Sequence, residues 1–171
     1  MAGETTMLEA VEGLDSGVLR TAFSGFPCGI AALSAMTEGA PSVLIASSFT
    51  VGVSMEPPLV MFAVQKTSTT WPQLAEAPVI GVSVLGEAHA DKTRQLAAKN
   101  KAERFRGVQT HAGEDGALFL HEAPVWLSCG IEHTYPAGDH DIVVLRVLRV
   151  RVDFSHQPLL WHRSLMVPVS R

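Results

Sequence analysis

Apolar residues arrive in this chain as short runs fenced by turn formers, and that spacing limits the folds open to it. Ile30 to Met36, Val43 to Phe49, Leu59 to Val64 and Val79 to Leu85 are each of strand length, and Gly, Pro or Ser bounds them. Glu38-Gly39-Ala40-Pro41 reads as the hairpin turn joining the first two runs. Beyond Gly107 the pattern resumes, with Val125 to His133 and then a long run from Ile142 to Phe154. Many short strands, few helices and no strand–helix alternation predict a mainly β domain built as an antiparallel barrel.

Three segments interrupt the β pattern. From Asp15, with Asp15 or Ser16 as the expected N-cap, Val18, Leu19, Ala22, Phe23 and Phe26 recur at helical spacing until Pro27 and Gly29 stop them. Thr70-Trp71-Pro72 can open a short helix running to about Ala77. Ala88 to Ala102, with acid early and base late, predicts a longer one. In the last strand Leu148, Val150 and Val152 alternate with Arg149, Arg151 and Asp153, which makes the charged side the wet face. Arg146 shares parity with Leu148, so the alternation slips between them, as at a β-bulge.

The 171 residues are 47% hydrophobic and 18% charged, enough for one domain with a substantial core and incompatible with a disordered chain. Residues 1–13 are polar and acidic and read as a flexible lead-in, with the domain occupying 14–171. A formal net charge of −4 argues against a nucleic-acid partner. The most apolar stretch, Val43 to Val64, carries Ser47, Ser48, Thr50, Ser54, Glu56 and the Pro57-Pro58 pair, so no membrane span is expected there. The two cysteines, Cys28 and Cys129, make no disulfide framework and point to a cytoplasmic protein with reduced thiols.

Searches for nucleophile, zincin and dinucleotide-fold motifs return nothing. No two of the seven histidines stand at i, i+4 in a helix; a metal site would need the scattered His133, His140 and His156, and none is expected. Three polar clusters remain. Ala46-Ser47-Ser48-Phe49-Thr50 ends a strand in consecutive hydroxyls, a ledge suited to a heterocycle edge or a phosphate. Lys66-Thr67-Ser68-Thr69-Thr70 brings an ammonium and hydroxyls to a helix start, again suited to phosphate. Gly138-Asp139-His140, after Tyr135-Pro136-Ala137, reads as a loop carrying a histidine able to hold a polar ligand or move a proton. Each cluster also has a plain structural reading as a turn or a cap.

In order, the chain shows Phe26-Pro27-Cys28-Gly29-Ile30, Ala46-Ser47-Ser48-Phe49, Ser54-Met55-Glu56-Pro57-Pro58-Leu59-Val60, Gly138-Asp139-His140 and Pro158-Leu159-Leu160-Trp161. This set resembles the flavin reductase-like family, the small reductase components of two-component flavin monooxygenases. The resemblance implies a split antiparallel β-barrel with a few peripheral helices, forming a homodimer that binds FMN or FAD. It implies hydride transfer from NADH or NADPH to the flavin, which then serves a separate oxygenase. By similarity, Ala46, Ser47, Ser48 and Phe49 line the flavin, Ser54 orders that loop, and Lys66, Ser68 and Thr69 meet its phosphate. His140 stands beside the nicotinamide site, with Phe26, Cys28 and Phe105 as neighbours and Arg104 next to the last. Where the family commonly has Gly and Thr this chain has Val43 and Ile45, and Cys28 replaces a common Thr. Those departures motivate an alternative, a non-catalytic FMN carrier or sensor on the same fold.

Overall fold

The computed structural model describes residues 15–169. The expected lead-in at 1–13 lies outside the described residues. In chain order the elements are α1 (Ser16–Ser24), β1 (Cys28–Gly29), β2 (Ala31–Thr37), β3 (Ala40–Ala46), β4 (Thr50–Met55) and β5 (Pro58–Gln65). There follow α2 (Trp71–Ala75), β6 (Ile80–Val84), α3 (Thr93–Leu96), β7 (Thr110–Ala112), β8 (Leu118–Leu120), β9 (Val125–Ala137), β10 (His140–Val152), β11 (Leu159–His162) and β12 (Leu165–Pro168).

The main sheet has the order β3-β2-β6-β9-β10-β5-β4, and every pairing in it is antiparallel. It curls until its two ends enclose one core. Leu33 and Ala46 from one end share a cluster with Val60, Phe62 and Val64 from the other, closed by Ile80, Val82, Val143 and Leu145. No ladder joins β3 to β5, so the barrel is split along that seam. The outer face of β2 and β3 is also covered. Ile30, Ala32 and Val43 pack there with Leu85, Leu96, Leu120 and Leu159. Burial on both faces explains why these strands read as continuous apolar runs and not as alternating ones.

The hairpin between β2 and β3 is tighter than the sequence suggests. Its turn is Glu38-Gly39 alone, with φ of 51° and 79°, and Ala40 and Pro41 already belong to the strand. Two positive φ values in succession match the twist of the flanking strands. β8 crosses the sheet so closely that a Cβ on Gly81 would lie 2.1 Å from the Leu118 carbonyl oxygen, and Ser34 Oγ donates to that same oxygen.

Helix α1 starts where expected, with the Asp15 carboxylate accepting from the Gly17 N–H. The long helix over 88–102 does not form. The segment is instead a 3-10 turn at Glu87–His89, the single turn α3, and a second 3-10 turn at Lys101–Glu103. The His89 ring folds back to accept from the Gly86 N–H, Asn100 Oδ1 caps the Ala102 N–H, and Gln95 Nε2 reaches the Arg104 and Arg106 carbonyls. These side-chain bonds to backbone outcompete a continuous helix. Tyr135-Pro136-Ala137 is strand, not loop; among the described residues β9 has no partner on its β6 side beyond Cys129, and an edge tolerates proline.

The bulge in the last strand is present. The β9–β10 register shifts between Val147 and Arg149, leaving Leu148 without an opposite residue. The charged side is wet as expected, with Arg149 and Arg151 exposed, and the apolar side is exposed as well. β5 pairs with β10 only as far as Arg146, and beyond it Leu148, Val150 and Val152 are 52%, 65% and 55% exposed. No part of the described chain backs that apolar face. Among the described residues no helix is long and apolar enough to cross a membrane.

Candidate functional site

A cleft of about 660 Å³ opens along the seam between β3 and β5. Its floor is the β3 segment from Val43 to Ala46 with Ala63, Val64 and Gln65 of β5. Residues 67–70 and Lys99 and Arg104 form one end, and His140 stands on its rim. None of the residues lining it is acidic.

Among the residues singled out by sequence, Ala46, Ser47, Ser48, Ser68, Thr69 and His140 meet in this cleft. Ser48 plays a structural part there. Its hydroxyl donates to the Ala63 carbonyl and accepts from the Ala63 N–H, both at 3.0 Å, standing in for the missing ladder across the seam. Its backbone is what it offers a ligand. Ser68 Oγ accepts from the Trp71 N–H at 3.1 Å and so caps α2, which keeps the hydroxyl proton available. His140 begins β10 opposite Gln65 of β5, and its Nδ1 lies 2.7 Å from Asp139 Oδ1. That leaves Nε2 for a ligand. The bond to His140 holds the Asp139 carboxyl below its usual range.

Five others lie outside this cleft. Phe49 packs against the barrel core, and Ser54 sits in β4 opposite Leu59. Lys66 points to the β9–β10 turn, where its Nζ donates to the Gly138 carbonyl at 2.7 Å. Cys28 is in β1 opposite Trp161, whose side chain lines a small apolar cleft that shares Ile45, Ser47 and Ala97 with the main one. Phe105 lines a further cleft of about 340 Å³, which meets the first at Val43 and Arg104.

The cations at the phosphate-like end are therefore Lys99 and Arg104. Arg104 is the more firmly held: Nε donates to the Ala98 carbonyl, and Nη1 to the Val43 carbonyl and Thr70 Oγ1, at 2.7 to 2.9 Å. Partial burial draws it below its usual range, and its guanidinium remains a cation. Sequence gave no separate signal for Lys99, which lay inside the expected long helix. The Val43 substitution is absorbed by the core, because its side chain is fully buried among Ile30, Leu96 and Leu120. Cys129 is a buried core thiol pushed up to about 12, without reactive character. Among the described residues no three His, Cys, Asp or Glu side chains gather to hold a metal.

The donor set fits a flavin phosphate and the apolar floor fits a ring system. The family model for the flavin reductase like domain matches residues 23–170. The chain belongs to that family. It is 30% identical over 152 residues to a flavin reductase of Pseudomonas putida, covering 88% of each chain. It is 36% identical over 148 residues to a Streptomyces coelicolor protein named actinorhodin polyketide dimerase, covering 86% of this chain and 82% of the other. Among solved structures, the Streptomyces globisporus NADH:FAD oxidoreductase in complex with NAD and FAD fragments superposes with a TM-score of 0.86. That pair is 29% identical and covers 95% of this chain and 98% of the other. The family's split antiparallel architecture is thus the one expected from sequence.

Proposed function

We propose that this chain is an NAD(P)H:flavin oxidoreductase that supplies reduced flavin to a separate oxygenase. One observation carries the reading: the barrel seam forms a cleft with an apolar floor, cations and hydroxyls at one end, and an oriented histidine on its rim. Bound flavin supplies the acceptor for the nicotinamide hydride and takes up a proton with it. The protein's share is placement. Val43 to Ala46 and Ala63 to Gln65 form the floor that excludes water from one face of the ring. Ser47 and Ser48 offer backbone groups to the heterocycle edge, while Thr69, the Ser68 hydroxyl, Lys99 and Arg104 hold the phosphate. His140, fixed through Nδ1 by Asp139, turns Nε2 toward the nicotinamide side and orients that ligand.

Lys66 acts on His140 through the turn it clamps, and Ser54 and Phe49 anchor the strand and loop beside Ser48. Cys28 borders the small apolar cleft next to the main one. The working unit is a homodimer, its partner covering the exposed Leu148, Val150 and Val152 face. A cytoplasmic setting supplies both NADH and the reducing poise that keeps Cys28 and Cys129 as thiols. The test is NADH and NADPH oxidation by the pure protein with and without added flavin. Flavin-dependent turnover supports the reading. Stoichiometric flavin that neither nicotinamide reduces would establish the carrier alternative instead.

A further inference from the structure

Two rows of residues cross the outer face of the sheet beside the β7–β8 hairpin. One runs Ser34, Gly81, Ser128, Arg149 and the other Ser83, Trp126, Arg151, each residue opposite the next on the neighbouring strand. Residues so paired share a face. β8 satisfies the serines nearest to it: Ser34 Oγ donates to the Leu118 carbonyl at 2.8 Å, and Ser83 Oγ accepts from the Leu120 N–H at 2.9 Å. Ser128 stands one strand further on. It is 5% exposed, and its Oγ has no hydrogen-bond partner among the described residues. Buried hydroxyls in folded proteins are rarely left so.

Ser128 lines a cleft of about 280 Å³ with Trp126, Phe119, Arg149 and Arg151. Arg149 gives Nη1 to Asp115 at 3.0 Å, and Arg151 gives Nη2 to Asp153 at 3.1 Å with its guanidinium 4.5 Å from the centre of the Trp126 ring. Each fork keeps further N–H donors for a ligand. Val150 also borders the cleft, but strand alternation turns its side chain to the opposite face, with its partner Leu127 in the barrel core. A homodimer contact on the Leu148, Val150 and Val152 face therefore leaves this cleft open. An unpaired hydroxyl beside guanidinium donors suits a planar carboxylate, which accepts from both at once. The aromatic wall suits a ring, and the volume admits one ring and not a nucleotide. We propose that this cleft binds a small aromatic carboxylate, its carboxylate on Arg149 and the Ser128 hydroxyl and its ring along the Trp126–Phe119 wall. The site shares no lining residue with the seam cleft and stands whether or not that cleft takes flavin.

The experiment is a fluorine NMR titration of para-fluorobenzoate with the pure protein, with and without excess FMN, in wild type, Ser128→Ala and Arg149→Met. FMN keeps the probe out of the seam cleft, whose cations also attract a carboxylate. Wild type is expected to bind with a Kd of about 1 mM or tighter, the same in both conditions, and each variant at least about tenfold more weakly. Neither para-fluorobenzyl alcohol nor inorganic phosphate at equal concentration should displace the probe. Without ligand, Ser128→Ala should melt no lower than wild type, because it removes an unpaired buried hydroxyl. A clearly lower melting temperature would show that hydroxyl bonded within the fold and overturn the proposal. So would an absence of saturable binding, binding that both variants retain, or displacement by FMN, the alcohol or phosphate. Should Arg149→Met not fold by circular dichroism, Ser128→Ala decides alone.

Discussion

The Lys66 ammonium donates to the Gly138 carbonyl at 2.7 Å, and the Lys66 backbone N–H donates to the Asp139 carbonyl at 3.0 Å. The end of β5 is thereby clipped to the turn that carries Asp139 and His140. Because Lys66 grips the turn and does not line the cleft, Lys66→Ala should act on His140 more than on flavin. The exposed bond is worth about 1 kcal/mol, so kcat is expected to fall about fivefold while the flavin Kd moves less than about twofold. Stopped-flow reduction by NADH combined with flavin titration separates the two. A larger loss of affinity than of kcat would return Lys66 to the phosphate.

His140 is expected to behave in the same sense and more strongly. Its ring lines the cleft, and its Nδ1 is fixed by Asp139, so on the proposed reading its removal takes away the imidazole that faces the nicotinamide. His140→Ala should slow flavin reduction by roughly 10- to 100-fold and leave flavin affinity within about threefold. Asp139→Asn keeps a side chain of the same shape but loses the charge, and should give an intermediate kcat. The measurement is the same pair of assays. Equal effects of the three variants on Kd and none on kcat would place this turn in flavin binding alone.

Much of the barrel was legible because its strands declare themselves by apolar runs, and Leu148 revealed its bulge through a parity slip. The segment from Glu87 to Arg106 was not legible. Its composition favours helix, while its structure is set by His89, Gln95 and Arg104 bonding to distant backbone. Those partners are tertiary and leave no local period. The cleft was half legible for a related reason. Ser47, Ser48 and His140 sit in short motifs, whereas Lys99 and Arg104 reach the site only because that irregular segment folds against β3. Lys66 reads as a phosphate ligand because a cation stands beside hydroxyls, and only the β9–β10 turn shows its ammonium on the Gly138 carbonyl.

His89 links the same segment to pH. The ring is 5% exposed; Nδ1 accepts from the Gly86 N–H at 3.0 Å, which fixes Nε2 as the donor to the His121 carbonyl at 2.8 Å. Burial lowers its pKa from the ordinary 6.5, so the folded state holds it neutral. A depressed folded pKa contributes stability that is complete above the unfolded value and lost as pH falls below it. Wild-type stability should therefore decline below pH 6.5, by at most about 1.4 kcal/mol per pH unit from this group. Urea midpoints at several pH values, compared with His89→Gln, give the test. The variant is less stable at neutral pH, and its pH slope just below 6.5 should be flatter. Identical slopes would remove His89 as the source.

Val150 tests the oligomer. Among the described residues β10 runs on past Arg146 without an outer partner, so its edge and the side chains of Leu148, Val150 and Val152 are presented together. An apolar face backed by an open strand edge is stable in water only when covered. A homodimer in which two copies cover one another would bury both features at once and would account for the low charged fraction of the chain. Val150→Glu placed at such a contact leaves a carboxylate without a partner, at a cost of several kcal/mol. Sedimentation velocity should show wild type as a dimer at micromolar concentration, and the variant's dimer dissociation constant raised by at least about 100-fold. Circular dichroism should stay native, because Val150 is 65% exposed in the single chain. Flavin affinity measured across the dissociation range then reports whether the partner completes the cleft. A wild-type protein that remains monomeric and fully active at every concentration would contradict the dimer.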